Sequence, residues 1–239
     1  MKDRGIDLAS QPADATLVIE ASTSAGSLAI VRDGKVAAQN AVAMGVSRDD
    51  GLFPAIQALL MDSDLEPSAI ARVVCGAGPG SFTSLRIAAS LAKGLAHGSG
   101  ATLSAVSSLA LSAAVAVDIL PDTVTDIVVH ADALRGERYV QRMRVDGARM
   151  VDAGGPVERV AFVDLDGYSR GALRVAVGSS PDPALEGTVV LPSAAAIVRI
   201  RGWHDLSAVS LETWEPAYGR LAEAQVVWER THGHALPSV

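Results

Sequence analysis

The stretch Val73-Val74-Cys75-Gly76-Ala77-Gly78-Pro79-Gly80-Ser81-Phe82-Thr83-Ser84-Leu85-Arg86 constrains the fold more than any other part of the chain. An apolar strand, predicted at 71–75, runs into a glycine turn that opens at once into a helix, predicted at 82–97. A strand feeding directly into a helix calls for an α/β layer arrangement, because each element must bury one side on the other. Glycines let the backbone turn tightly, and a helix start offers N–H groups suited to phosphate. The loop is not a Walker A loop, since no Gly-Lys-Ser/Thr follows, and its glycine spacing is not that of the dinucleotide fingerprint. Turn geometry alone also accounts for Gly, Pro and Ser here. On these residues a phosphate loop and a plain connection both stand.

The elements before and after the loop describe a repeated plan. Leu17-Val18-Ile19 reads as a strand, Ala21 to Gly26 as a small-residue turn, and Ser27 to Val31 as a second strand. Asp33-Gly34 is a hairpin turn signal, with a third strand around Lys35 to Asn40. Residues 51–62 carry Leu52, Ala55, Ile56, Leu59 and Leu60 at helical spacing, with Asp49 or Asp50 as the expected cap and Pro54 in the first turn. A further helix is predicted at 107–117. After Pro121-Asp122 the plan returns: a strand at 126–131, a turn at Arg135-Gly136 and a strand at 137–145. Strands at 174–177 and 188–191, a helix at 193–201 and a helix from Tyr218 to Arg230 follow, while the Gly-rich 146–172 suggests no single element. The expected organisation is a flexible tail (1–14), a first lobe (15–118), a smaller second lobe (119–217) and a C-terminal helix and tail (218–239).

Charge and composition exclude several classes of function. Hydrophobic residues make up 49% of the 239 and charged residues 20%, which rules out a disordered chain. Twenty basic against 27 acidic residues give a net charge of −7, with no basic stripe of the kind that binds RNA unaided. Cys75 is the only cysteine, so no internal disulfide and no cysteine-based zinc site is expected. The N-terminal residues lack the apolar core of a signal peptide, and no run reaches the roughly 18 apolar residues of a membrane span. A cytoplasmic location without membrane contact is the expectation.

The candidate chemistry lies in two places. Glu20 ends the first strand and is followed by Ser22 and Thr23, which resembles the plan of actin-like kinases and chaperones. There an acid at the strand end holds magnesium and the turn cradles phosphate. Aspartate is usual at that position; Glu20 is one methylene longer, which displaces the carboxylate. With Gly78, Gly80 and Ser81 these residues form a candidate nucleotide loop. The five histidines, His97, His130, His204, His232 and His234, contain no pair at i, i+4 that would grip a metal. Ser81 lacks the Gly-x-Ser-x-Gly elbow of a hydrolase nucleophile. No catalytic residue, metal or cofactor is assigned.

Taken in order along the chain, several pieces resemble the TsaB (YeaZ) family of bacterial tRNA modification proteins. They are Leu17–Val36, Gly78-Pro79-Gly80-Ser81-Phe82-Thr83-Ser84-Leu85-Arg86, Val106-Ser107-Ser108-Leu109, Asp132-Ala133 with Arg135-Gly136-Glu137 and Tyr139, and Glu215-Pro216-Ala217-Tyr218-Gly219-Arg220 with Ala224 and Trp228. The resemblance implies an α/β, two-lobed actin-like (ASKHA, ribonuclease-H-like) fold with mixed sheets flanked by helices. It implies a non-catalytic subunit that binds the transferase TsaD. With the ATPase TsaE, the two support threonylcarbamoyl transfer to the adenosine beside the tRNA anticodon, tRNA being met only through the complex. It places the partner face on the helices at 51–62 and 82–97, for which Leu52, Ile56, Leu59, Leu85, Ala88, Ala89 and Ala92 are the candidates, and it allows a homodimer through the same helices. The candidate nucleotide loop then becomes vestigial. The chain departs from the family at Glu20, at Leu134 where Arg is usual, between Met44 and Gly51, and through 146–190. The alternatives are an actin-like ATPase or kinase using Glu20, Ser22, Thr23 and the glycine loop, and a peptidase for which the sequence supplies no nucleophile or metal set.

Overall fold

The computed structural model describes residues 15–44, 51–179, 188–218 and 231. Two mixed sheets follow the same plan. In the first, strands β1 (Ala15–Glu20), β2 (Ala25–Arg32), β3 (Lys35–Ala43), β4 (Ile70–Gly76) and β5 (Thr102–Val106) lie in the order β3-β2-β1-β4-β5. β1 pairs antiparallel with β2 and parallel with β4, and β4 parallel with β5. In the second, β6 (Asp126–Asp132) pairs antiparallel with β7 (Glu137–Val145) and parallel with β10 (Leu173–Val177), which pairs parallel with β11 (Thr188–Val190). The short strands β8 (Val151–Asp152) and β9 (Glu158–Ala161) both add to β7. The second sheet thus repeats the first: a meander, then parallel strands on the other side of its opening strand.

Side-chain alternation sorts the layers. Leu17, Ile19, Leu28, Ile30, Val73 and Leu103 face one side of the first sheet, under helices α1 (Leu52–Asp62) and α2 (Phe82–Ser99). Val18, Ala29, Val31 and Val74 face the other side and meet helix α3 (Ser108–Ala116). Ile127, Val129, Met143 and Val175 of the second sheet close on α3 from beyond. A helix between two sheets has no wet side, and α3 buries eight of its nine residues. On the outer face of the second sheet, Val128 and Val140 pack on Leu165 of the one-turn helix α4 (Leu165–Tyr168).

Several local expectations change. β1 covers Ala15–Glu20 rather than three residues, and all six are buried, as suits a central strand covered on both faces. The helix predicted at 193–201 is a 3-10 helix, Ala194–Arg199. Its buried residues explain why: Ala194, Ile197 and Ile200 recur every third residue, which is the 3-10 repeat. α1 has Gly51 as N-cap with no side-chain bond, and the expected caps Asp49 and Asp50 lie outside the described residues. So do nearly all of the predicted 218–230 helix and His232 and His234. Residues 146–172 hold β8, β9 and α4. Beyond residue 200 the chain returns to the first sheet, where Ala208 bridges Ser104 and the Val209 N–H donates to the Leu103 carbonyl at 2.8 Å.

Candidate functional site

The end of β1 brings together residues far apart in sequence. Glu20 is fully buried. Its Oε1 accepts the Ser22 N–H at 2.6 Å and its Oε2 accepts the Ser108 hydroxyl at 2.7 Å. Ser108 also grips the glycine loop: its Oγ accepts the Gly78 N–H at 3.1 Å, and its own N–H donates to the Gly78 carbonyl at 3.0 Å. Burial pushes the Glu20 carboxyl above its ordinary pKa, against the opposing pull of the bonds from Ser22 and Ser108. Burial, and then the nearby Glu20, push the Cys75 thiol up as well, so it packs as an inert small hydrophobe.

The inner face of the glycine loop is filled by the β1–β2 turn. The Ser81 N–H donates to the Ser22 carbonyl at 2.7 Å. Gly80 lies against the same group, so close that a Cβ there would stand 2.1 Å from the Ser22 oxygen. Gly78 has φ +83°, and a Cβ there would meet the Ala217 carbonyl oxygen at 2.7 Å. Ser81 caps α2 by accepting the Ser84 N–H at 3.5 Å, a long bond. Of the six candidate loop residues, Glu20, Ser22, Gly78, Gly80 and Ser81 therefore meet. Thr23 turns away, its Oγ1 bonded to the N–H and carbonyl of Ala25. Both carboxylate oxygens of Glu20 are bonded inside the protein, and no part of the residue reaches solvent. A phosphate would have to displace the Ser22 carbonyl from the N–H that a cradle would offer.

Two participants were not singled out from sequence. Ser108 was visible only as part of Val106-Ser107-Ser108-Leu109, and nothing in helical periodicity marks it as a link between acid and loop. Ala217 contributes only backbone, its N–H donating to the Ala77 carbonyl at 2.8 Å, so its residue type carried no signal.

The seven candidate interface residues sit elsewhere than expected. Leu52, Ile56, Leu59, Leu85, Ala88, Ala89 and Ala92 are all buried against the chain's own core, none more than 4% exposed. A helix on a sheet turns its apolar stripe inward, and the small residues of α2 serve close packing on that sheet. The outward side of α1 carries Phe53, 46% exposed, and Met61, 79% exposed. The outward side of α2 carries Arg86, Ser90 and His97. His130 is buried on β6, with its Nδ1 meeting no hydrogen-bond partner among the described residues. Among those residues no group of three His, Cys, Asp or Glu side chains is arranged to hold a metal, and no helix is long and apolar enough to cross a membrane.

Residues 49–169, just over half of the chain, match the family model of TsaD, the tRNA N6-adenosine threonylcarbamoyltransferase. Over 98 residues the chain is 36% identical to the tRNA threonylcarbamoyladenosine biosynthesis protein TsaB of Bacillus subtilis. The chain belongs to the TsaB (YeaZ) family. The Bacillus alignment covers 41% of this chain and 43% of that protein; one with TsaB of Haemophilus influenzae, 29% identical, covers 53% and 52%. The chain thus spans about half the length of these curated relatives. An uncharacterized protein of Mycobacterium tuberculosis is 31% identical over 201 residues, 80% of this chain and 87% of that one. YeaZ from Pseudomonas aeruginosa superposes with a TM-score of 0.68 at 22% identity, over 86% of this chain and 99% of that one, and shares the fold. The two mixed sheets with their flanking helices are the α/β arrangement that the family resemblance implies.

Proposed function

We propose that this chain is the non-catalytic partner and activator of a TsaD-like transferase in threonylcarbamoyladenosine formation on tRNA. It docks that subunit through the outward sides of α1 and α2, and the same helices allow a homodimer. A TsaE-like ATPase joins the assembly. Transfer to the adenosine beside the anticodon takes place in the cytoplasm on the transferase. With a net charge of −7 this chain meets tRNA only through the complex.

The observation that carries the reading is the seal around Glu20. An actin-like phosphotransferase needs an acid open to magnesium and a loop open to phosphate. Here both Glu20 oxygens are held by Ser22 and Ser108, and the Ser81 N–H is held by the Ser22 carbonyl. This favours a supporting subunit over the ATPase or kinase alternative, and it makes the loop a structural joint.

The test is nucleoside mass spectrometry of tRNA from cells depleted of the protein. Threonylcarbamoyladenosine is expected to fall while the isolated chain shows no magnesium-dependent ATP binding. Unchanged modification after verified depletion would refute the assignment, and magnesium-dependent ATP binding lost on Glu20→Ala would put the kinase reading in its place.

A further inference from the structure

Phe82, Arg86 and Lys93 recur at i, i+4 and i+11 on α2 and form one line along the helix. The line is not bare. Residues 215–218, which form no helix or strand, lie along it. The Tyr218 ring stands 4.8 Å from the Phe82 ring, centroid to centroid, and the Arg86 guanidinium stands 5.1 Å from the centre of Phe82. Lys93 Nζ lies 3.4 Å from Glu215 Oε1, and the Tyr218 hydroxyl donates to Glu215 Oε2. The Tyr218 hydroxyl first, then Lys93 and Arg86, hold the Glu215 carboxyl below its ordinary pKa. The root of the segment is pinned by the Ala217 N–H on the Ala77 carbonyl at 2.8 Å.

These contacts define what the α2 line accepts: an aromatic ring against Phe82 and Arg86, and a carboxylate against Lys93. They are also contacts of a kind that exchanges readily. One tilted ring pair and one exposed ion pair are each weak, and neither is locked into secondary structure. The outward side of α2 is the face assigned above to partner docking, and part of it is already taken.

We propose that Glu215–Tyr218 is a displaceable strap over the α2 docking line, and that the partner subunit seats there by replacing it with a carboxylate and an aromatic ring of its own. The strap then sets the affinity of docking, because a face covered most of the time binds in proportion to the fraction uncovered. It also joins the docking helix to the glycine loop, since its root lies on Ala77 and Gly78.

The proposal rests on the reading of α2 as a docking helix, and the experiment separates the two. Affinity for the transferase subunit is measured by calorimetry for the wild-type chain and for the Glu215→Ala/Tyr218→Ala variant. Labelling of Lys93 by an amine reagent reports whether the strap has left. The variant is expected to label faster at Lys93 and to bind about tenfold more tightly, the gain lying in the association rate. Equal or weaker binding by a variant with freed Lys93 would overturn the strap while leaving the docking reading intact. Unchanged labelling would overturn it too, because the segment would then not cover the line. No binding by either protein would overturn the docking reading and the strap with it.

Discussion

Replacing Gly80 by alanine tests whether the glycine loop is sealed or open. The new Cβ would stand 2.1 Å from the Ser22 carbonyl oxygen, 2.6 Å from the Ser22 Cβ and 2.8 Å from its carbonyl carbon. Two of these atoms are backbone, and the turn that holds them is itself tied down by Glu20 through the Ser22 N–H. The strain cannot be relieved by turning a side chain. Either the loop retreats by about an ångström or the turn does, and both routes break the bond from the Ser81 N–H to the Ser22 carbonyl. Overpacking of this kind costs about 1–3 kcal/mol, and the lost hydrogen bond adds about 1 kcal/mol. For a chain of this length each kcal/mol moves the midpoint of melting by roughly 2–4 °C. Gly80→Ala should therefore lower Tm by about 5–15 °C, read by circular dichroism with a urea titration alongside. Gly94→Ala is the control: among the described residues, nothing beyond its chain neighbours and its own helix backbone lies within 4 Å of its added Cβ, and an exposed helical glycine gains about 0.5–1 kcal/mol on becoming alanine. A Gly80→Ala chain that melts within a degree of wild type would refute the seal and return the loop to the open cradle of a nucleotide site.

Three further outcomes follow from the burial pattern. Folding raises the pKa of Glu20 by burial, so its contribution is full below the ordinary 4.5 and is lost as pH rises through the folded value. Glu20→Gln should accordingly be more stable than wild type at pH 8 and lose that advantage toward pH 4; a constant difference across urea titrations at several pH values would contradict this. Burial first, then Arg138 and Arg174, lower the His130 pKa from 6.5 to about 4. Stability present above pH 6.5 should therefore fall by at most about 3 kcal/mol as pH drops toward 4, and the slope should flatten in His130→Leu, as measured by melting across that range. On α1, the core change Leu59→Ala should cost about 2–5 kcal/mol. The outward change Met61→Asp should leave Tm nearly unchanged yet weaken binding of the transferase subunit at least tenfold; equal binding by Met61→Asp would remove α1 from the interface.

What was legible in the sequence divides along physical lines. The meander, the strand–loop–helix unit and the second pass after Pro121 were readable because period-2 alternation, turn residues and helical spacing are local. The 3-10 helix at Ala194–Arg199 was not, because its repeat of three lies close to the helical spacing and only the buried positions tell them apart. The candidate loop was half legible. Small residues announced a tight approach, but not that the approaching group is the chain's own Ser22 carbonyl. The candidate interface residues are buried within the chain for a related reason. An apolar stripe on a helix marks a face that is buried, and it cannot say whether a sheet or a partner does the burying. The resemblance pointed outward, and the sheet took the stripe.

The repeated plan of the two sheets sharpens the meaning of the seal. β1 and β6 each end in an acid that accepts the N–H two residues on: Glu20 from Ser22 at 2.6 Å, Asp132 from Leu134 at 2.9 Å. The local turn chemistry is thus the same in both halves, and it needs neither nucleotide nor metal to be satisfied. What differs is the surroundings. Asp132 lies in the open, with Arg138 at 3.6 Å. Glu20 lies beneath Ser108, the loop and, one layer further out, the root of the 215–218 strap. The longer side chain suits that position: it reaches past the turn to Ser108, thereby joining the first strand to the start of α3, the helix on which both sheets pack. On this reading the departure from aspartate is a gain of structure. The acid is a tie between the first strand, the start of α3 and, through Ser108, the glycine loop that opens α2.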